Sequence, residues 1–282
     1  MDEGGWRRAV GVAVVLAGLA CVAGCKRKHV AVDSVPELGY PACGDGGVSS
    51  EGTVEAEGRL RAGPLSNEKD VVETYTLRHT ACGHVLTARQ EWPLAIADVE
   101  VHYDEGFTPI WAWKRLTMAG SKRADGDADI RRYELRTGEV FIKRRDAKGT
   151  TVLEKLLAGG RMSVPAGAKV GAVVGPGRGV ITAWIRRERL PVGGKTQELV
   201  LDFRDMLESL EEGTIERSED LFEPWLGKKV RVYTFFGKET VFADDTDAVI
   251  GDLAGMRPAA SLHTPEPPPL PTYGGADPVH TP

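Results

Sequence analysis

From Ala97 to Asp104 the chain changes character at every step: Ala97, Val99, Val101 and Tyr103 are apolar or aromatic, while Asp98, Glu100, His102 and Asp104 are polar. Side chains alternate sides in this way only along an extended strand, so the stretch describes a sheet with one dry and one wet face. The same period recurs. Leu199, Leu201 and Phe203 oppose Glu198, Val200, Asp202 and Arg204; Tyr133 and Leu135 oppose Arg132, Glu134 and Arg136. Val54, Ala56, Gly58 and Leu60 again share one side, with Gly58 marking a kink. Further strands are expected over 71–79, 84–90, 109–116, 139–145, 229–236, 239–242 and 248–253, separated by turns such as Asp125-Gly126, Lys148-Gly149 and Gly193-Gly194.

A sheet wet on one side pairs antiparallel. The expected fold class is therefore mainly β: one large antiparallel sheet, a curved half-barrel or sandwich, with one or two short helices. Leu153, Leu156 and Leu157 have helical spacing before Gly159-Gly160. A second helix is expected over 180–190, with Ile181, Trp184 and Ile185 on one side, Arg186, Arg187 and Arg189 mostly opposite, and Pro191 ending it. The stretch 205–211 reads equally as a third helix or a bent strand.

The first residues carry an address. Ala9 to Ala23 is apolar, led by Arg7 and Arg8 and ending in small residues. A membrane-spanning helix needs about 20 apolar residues, so this run reads as a secretory signal segment. Val22-Ala23-Gly24-Cys25 resembles the lipobox of bacterial lipoproteins, which implies that Cys25 is lipidated and becomes the first residue of the mature chain. Lys26 after the cysteine then implies sorting to the outer membrane, facing the periplasm or the cell surface. Cys21 is the poorer candidate, because Gly18 stands where a branched apolar residue belongs. An ordinary cleaved signal peptide is the alternative. The expected layout is 1–24 signal peptide, 25–52 lipidated Cys25 and tether, 53–256 β-rich domain, and 257–282 proline-rich tail, whose Glu266-Pro267-Pro268-Pro269-Leu270-Pro271 favours an extended conformation.

Removing Asp2, Glu3, Arg7 and Arg8 with the signal leaves the net charge at −5, too acidic for a general nucleic-acid binder. A hydrophobic share of 41% suits a globular core. Once Cys21 is discarded and Cys25 lipidated, Cys43 and Cys82 remain as an even pair, and in an oxidising compartment a disulfide is the default reading. Closing that loop contributes ~4 kcal/mol on the chain-entropy account.

Chemical motifs are weak. His79, Cys82 and His84 form the densest group of metal-ligand types, but on a continuous strand Cys82 and His84 would face one way and His79 the other, so they converge only with a turn, which Gly83 permits. Gly175-Pro176-Gly177-Arg178-Gly179 has the small residues of an anion-binding loop without the Gly-Lys-Ser/Thr ending of a P-loop, so a sharp turn into the following helix is expected. Asp125, Asp127 and Asp129, and Asp244, Asp245 and Asp247, read as hairpin-end carboxylates; neither group continues as an EF-hand. Trp111 and Trp113, two residues apart after Phe107, either line a site for an apolar ligand or fill the core, the core being the commoner use of such rings. No nucleophile elbow, zinc-protease helix or β-lactam-binding set is present, so no catalytic residue, cofactor or metal is expected.

The Cys25 lipobox, the succession of strands and the closing stretch VRVYTFFGKETVFADDTDAVIG together resemble β-rich periplasmic lipoproteins and, more distantly, the half-barrel carriers of the lipoprotein-localisation type. That resemblance implies a curved sheet wrapped round an apolar cavity. The expected function is a membrane-anchored, non-catalytic module for a lipid-like ligand or an envelope protein partner; an envelope hydrolase with a carboxylate or histidine site, or a structural spacer, are the alternatives.

Overall fold

The computed structural model describes residues 29–30, 52–63, 66, 70–118, 129–136, 139–145, 151–156, 167–204 and 208–259. The apolar run 9–23, Cys25, Cys43, Asp125, Asp127 and the tail beyond 259 lie outside them. Among the described residues no helix is long and apolar enough to cross a membrane.

The fold is mainly β, as the alternation requires, and its strands divide into two sheets. The first contains β1 (His29–Val30), β2 (Thr53–Ala62), β3 (Val72–Thr80), β4 (Gly83–Trp92), β5 (Ala95–Tyr103), β6 (Pro109–Met118), β7 (Asp129–Arg136), β8 (Glu139–Arg145) and β9 (Thr151–Leu156), closed at one edge by the last strand, β17 (Met256–Pro258). Its order is β1-β9-β8-β7-β6-β5-β4-β3-β2-β17, an up-and-down meander from β2 to β9. The second contains β10 (Ala172–Val174), β11 (Lys195–Asp202), β12 (Ser209–Arg217), β13 (Leu221–Glu223), β14 (Lys228–Phe235), β15 (Glu239–Ala243) and β16 (Val249–Asp252). Its order is β10-β11-β12-β14-β15-β16, with β13 paired to β14 off that path. Among the described pairings only β10 with β11 is parallel.

The expected helix at 180–190 is present as a 3-10 turn, Arg178–Ile181, leading into α1 (Thr182–Glu188). It ends where Arg189 turns left-handed at φ 43°, its N–H donating to the Ile185 carbonyl, two residues before Pro191. The segment packs against both sheets. Val180 and Ala183 pack with Leu77, Leu86 and Val101 of the first sheet. Ile181, Trp184 and Ile185 pack with Val200, Ile215 and Phe235 of the second. Fully burying side chains of this size contributes about 1.5–3 kcal/mol each.

The sandwich explains two departures from the sequence reading. Val200, placed by alternation on a wet face, is fully buried, because β11 is covered on both sides: Leu201 and Phe203 join the first core and Val200 the second. Residues 151–156 are strand β9, not helix, because β8 offers an antiparallel edge whose backbone bonds override local leucine spacing.

Tyr75 joins the layers. Its ring lies where a side chain at Gly58 or Gly179 would sit: a Cβ at either would come within 2.2 Å of a ring carbon. Its hydroxyl donates to the Val249 carbonyl at 2.7 Å. Gly58 therefore makes room for a ring from the neighbouring strand.

Candidate functional site

Strands β3 and β4 form a hairpin whose turn is only Ala81-Cys82. Thr80 pairs with Gly83, and the Thr80 hydroxyl donates to the Gly83 carbonyl at 3.0 Å. Gly83 has φ 103°, and a Cβ there would lie 2.3 Å from the Tyr103 carbonyl oxygen, so the tight approach of β4 to the end of β5 needs glycine. This turn falls between the two expected strands and supplies the bend that convergence of the two histidines requires. His79 and His84 are direct cross-strand partners, so both rings fall on one face, with centroids 4.9 Å apart.

Four pairs make up the inner face of that hairpin: Glu73 with Gln90, Tyr75 with Ala88, Leu77 with Leu86, and His79 with His84. It is apolar in the middle and polar at both ends, and the ends differ.

At the Glu73 end every charge has an internal partner. Gln90 Nε2 donates to Glu73 Oε1 at 2.8 Å, the Arg178 backbone N–H donates to Oε2 at 2.7 Å, and the Arg178 guanidinium donates to Oε1 at 2.6 Å. Arg178 Nε also donates to Asp252 Oδ2 at 2.7 Å, and the Met256 N–H donates to Asp252 Oδ1 at 2.8 Å. The Gly-Pro-Gly-Arg-Gly turn does receive an anion, and that anion is the chain's own Glu73. Burial pushes the Glu73 carboxyl above its ordinary value, against the opposing pull of Arg178. This cluster clamps the 3-10 turn to both sheets, its charged groups engaged with one another.

The His84 end is open. His84 is 6% exposed; its Nδ1 lies 3.1 Å from Glu55 Oε2, and its ring stacks on Phe107 at 3.8 Å. Arg186 of α1 donates to the Glu55 carbonyl at 3.0 Å and contacts its carboxylate at 3.4 Å, which holds that acid in place. His79 Nε2 lies 3.1 Å from Glu105 Oε2, and both side chains are largely exposed. His79, His84 and Glu105 each bring one ligand-type atom to within 4.8 Å of the others. Phe107 takes φ 61°, a conformation rare for a bulky residue, in the β5–β6 loop; the Phe107 N–H donates to the Asp104 carbonyl there at 3.0 Å. Glu105, Phe107 and Glu55 belong to this corner through pairing that no local motif signals.

Trp111 and Trp113 are not core. Their neighbours Ala112 and Lys114 point inward, the latter donating from Nζ to the Phe203 carbonyl at 2.7 Å, which puts both indoles half-buried on the outer face. Trp111 stacks with its cross-strand partner His102 at 3.8 Å, and the Arg132 guanidinium lies 4.9 Å from its ring centre. Glu100 accepts from His102 at 2.5 Å, and Asp98 bridges Arg89 and Arg115 alongside. Phe107 lies in the β5–β6 loop at the same end of the strands but packs inward, against His84 and Tyr103, so it is on the opposite face of the sheet from Trp111 and Trp113. The three aromatic residues expected to share a ligand therefore do not form one site. Phe235, by contrast, is core, 5.2 Å from Trp184 of α1, and Phe236 lies edge-on to the same indole at 6.3 Å.

The remaining candidates are structural or partly outside view. Asp244 Oδ1 accepts from the Thr246 and Ala248 N–H groups, and Asp247 accepts from Arg231 and Tyr233, an ordinary hairpin-end use. Cys82 occupies the exposed hairpin turn, and its expected partner Cys43 lies outside the described residues. His102 stands next to Tyr103, the partner of His84, but alternation turns it to the outer face, where it pairs with Val85 and Trp111 and stays apart from the other two histidines.

Compared with known protein families and with curated proteins, the chain matches none. Among solved structures it is similar to a DUF1089 family protein from Pseudomonas aeruginosa, at 14% identity and TM-score 0.42 over 68% of this chain and 93% of that one. It is also similar to a β-barrel-like DUF1849 protein from Brucella abortus, at 12% identity and TM-score 0.38 over 67% of this chain and 78% of that one. Both likenesses are loose, and no functional statement rests on them.

Proposed function

We propose that this chain is an envelope lipoprotein, anchored in the outer membrane through lipid on Cys25, whose β body is a non-catalytic module that binds an envelope protein at its surface. The observation that carries the surface reading is the position of α1. Ile181, Trp184 and Ile185 fill the face of the second sheet that a lipid-carrying half-barrel would leave open. The half-exposed Trp111 and Trp113, set among Arg89, Arg115 and Arg132, have the aromatic and arginine content that interface centres favour. A Cys43–Cys82 bridge would tie the tether to the β3–β4 turn.

Metabolic labelling with a clickable palmitate analogue tests the anchor; label on the wild-type chain and none on Cys25→Ser is the expected result. Cross-linking in intact cells tests the surface: the adduct obtained with the wild-type chain should be lost in the Trp111→Ala, Trp113→Ala double variant. Native mass spectrometry after mild extraction that returns a lipid-bound body would replace the protein partner with an apolar ligand. Mass mapping without reductant reads the Cys43–Cys82 linkage directly.

A further inference from the structure

We infer that His79, His84 and Glu105 form a binding site for one divalent transition-metal ion of the zinc class, a property beyond the anchored-module reading and independent of it. Two imidazoles and a carboxylate are a donor set that zinc takes in three-ligand sites, with the fourth position left for water or an outside donor. Two ligands on one tetrahedral zinc, each about 2.0 Å from it, stand roughly 3.3 Å apart. The separation of 3.1 Å between His79 Nε2 and Glu105 Oε2 is already of that size. The third ligand atom, from His84, lies within 4.8 Å of both, so small side-chain rotations on two exposed residues close the set.

The surroundings of His84 give independent support. Its Nδ1 is taken by Glu55 Oε2 at 3.1 Å, which leaves Nε2 as the coordinating nitrogen. A carboxylate on the far nitrogen is the arrangement that orients metal-bound histidines and raises their basicity. Glu55 is itself held by Arg186, and Phe107 lies flat against the same imidazole at 3.8 Å. The ring is therefore fixed before any ion arrives, while His79 and Glu105 are free to adjust. The histidines come from adjacent strands of one hairpin and the glutamate from the next loop, so the ligand set spans three neighbouring strand ends.

The test is titration of the full chain, extracted in mild detergent and stripped with a chelator, using Co2+ as the optical probe and Zn2+ as competitor. One Co2+ per chain should give the visible absorption of a four-coordinate site, and Zn2+ should displace it. Because His79 and Glu105 are exposed, His79→Gln and Glu105→Gln keep the fold, as circular dichroism checks, and each should abolish the signal. Glu55→Gln should weaken binding about 10–100-fold, whereas His102→Gln should leave it unchanged. Absence of the Co2+ spectrum in the wild-type chain, its survival in both Gln variants, or an intense thiolate charge-transfer band assigning Cys82 as ligand would each overturn the proposal. None of these outcomes bears on lipid at Cys25.

Discussion

One hairpin carries both kinds of polar cluster, and its two ends are built on opposite principles. At the Glu73–Gln90 end, charges from β3, the 3-10 turn and β16 meet in the interior and satisfy one another. At the His79–His84 end, the buried ring is braced from behind by Glu55 while the groups in front face solvent. Both ends follow from the same register, in which alternate residues of β3 and β4 face inward together. What separates them is how completely each is covered. The Gly-Pro-Gly-Arg-Gly turn lies over one end, whereas at the other Glu55, Arg186 and the short β5–β6 loop enclose His84 and leave His79 and Glu105 exposed.

If the Glu73 end is a structural clamp, breaking it should have the largest effect in the molecule. Arg178→Ala leaves a buried carboxylate unpaired and should cost about 3–5 kcal/mol, read from the urea midpoint of the detergent-extracted chain. A loss below 1 kcal/mol would mean that the cluster is not a clamp. Next comes the close approach that seats the same turn. Gly179→Ala pushes a methyl into the Tyr75 ring and should destabilise by about 1–3 kcal/mol, with a smaller loss if the ring can swing aside.

The charge state of that end is also testable. Because burial holds the Glu73 carboxyl above its ordinary value, the folded chain binds a proton there that the unfolded chain has released. Stability should therefore fall as pH rises from the ordinary carboxylate range through the raised value, and Glu73→Gln should remove that slope. On the outer face, Trp111→Ala should lower stability by about 1 kcal/mol, the loss of one stacked pair, far less than a core tryptophan would. The smallest effect belongs to the open corner: His79→Gln and Glu105→Gln should change stability by no more than about 0.5 kcal/mol. A large loss there would make His79 and Glu105 a structural ion pair, with the two ends of the hairpin alike.

Much of this fold was legible in the chain because a half-wet strand writes its geometry into alternate residues. Strands β5, β6, β8 and β15 fall close to where alternation and turn residues put them, and α1 lies where Trp184, Ile185 and Pro191 predict it. Strand β12 was not legible. Ser209, Glu211, Glu212, Thr214 and Glu216 leave only Leu210 and Ile215 as deeply buried apolar positions, and backbone pairing with β11 supplies what the side-chain pattern lacks. Trp111 and Trp113 misled for a related reason: aromatic rings suit a core, but the register of β6 was set by Ala112 beneath the sheet.

The sequence by itself determined that the chain is built largely of antiparallel strands and that a short amphipathic helix interrupts them. These properties depend on neighbours a few residues apart. Only the tertiary structure decided that α1 packs against both sheets, that Glu73 occupies the glycine-rich turn, and that Glu55 and Glu105 stand beside two paired histidines. Those meetings join residues far apart along the chain, and a local pattern holds no record of which distant strand ends will share a corner.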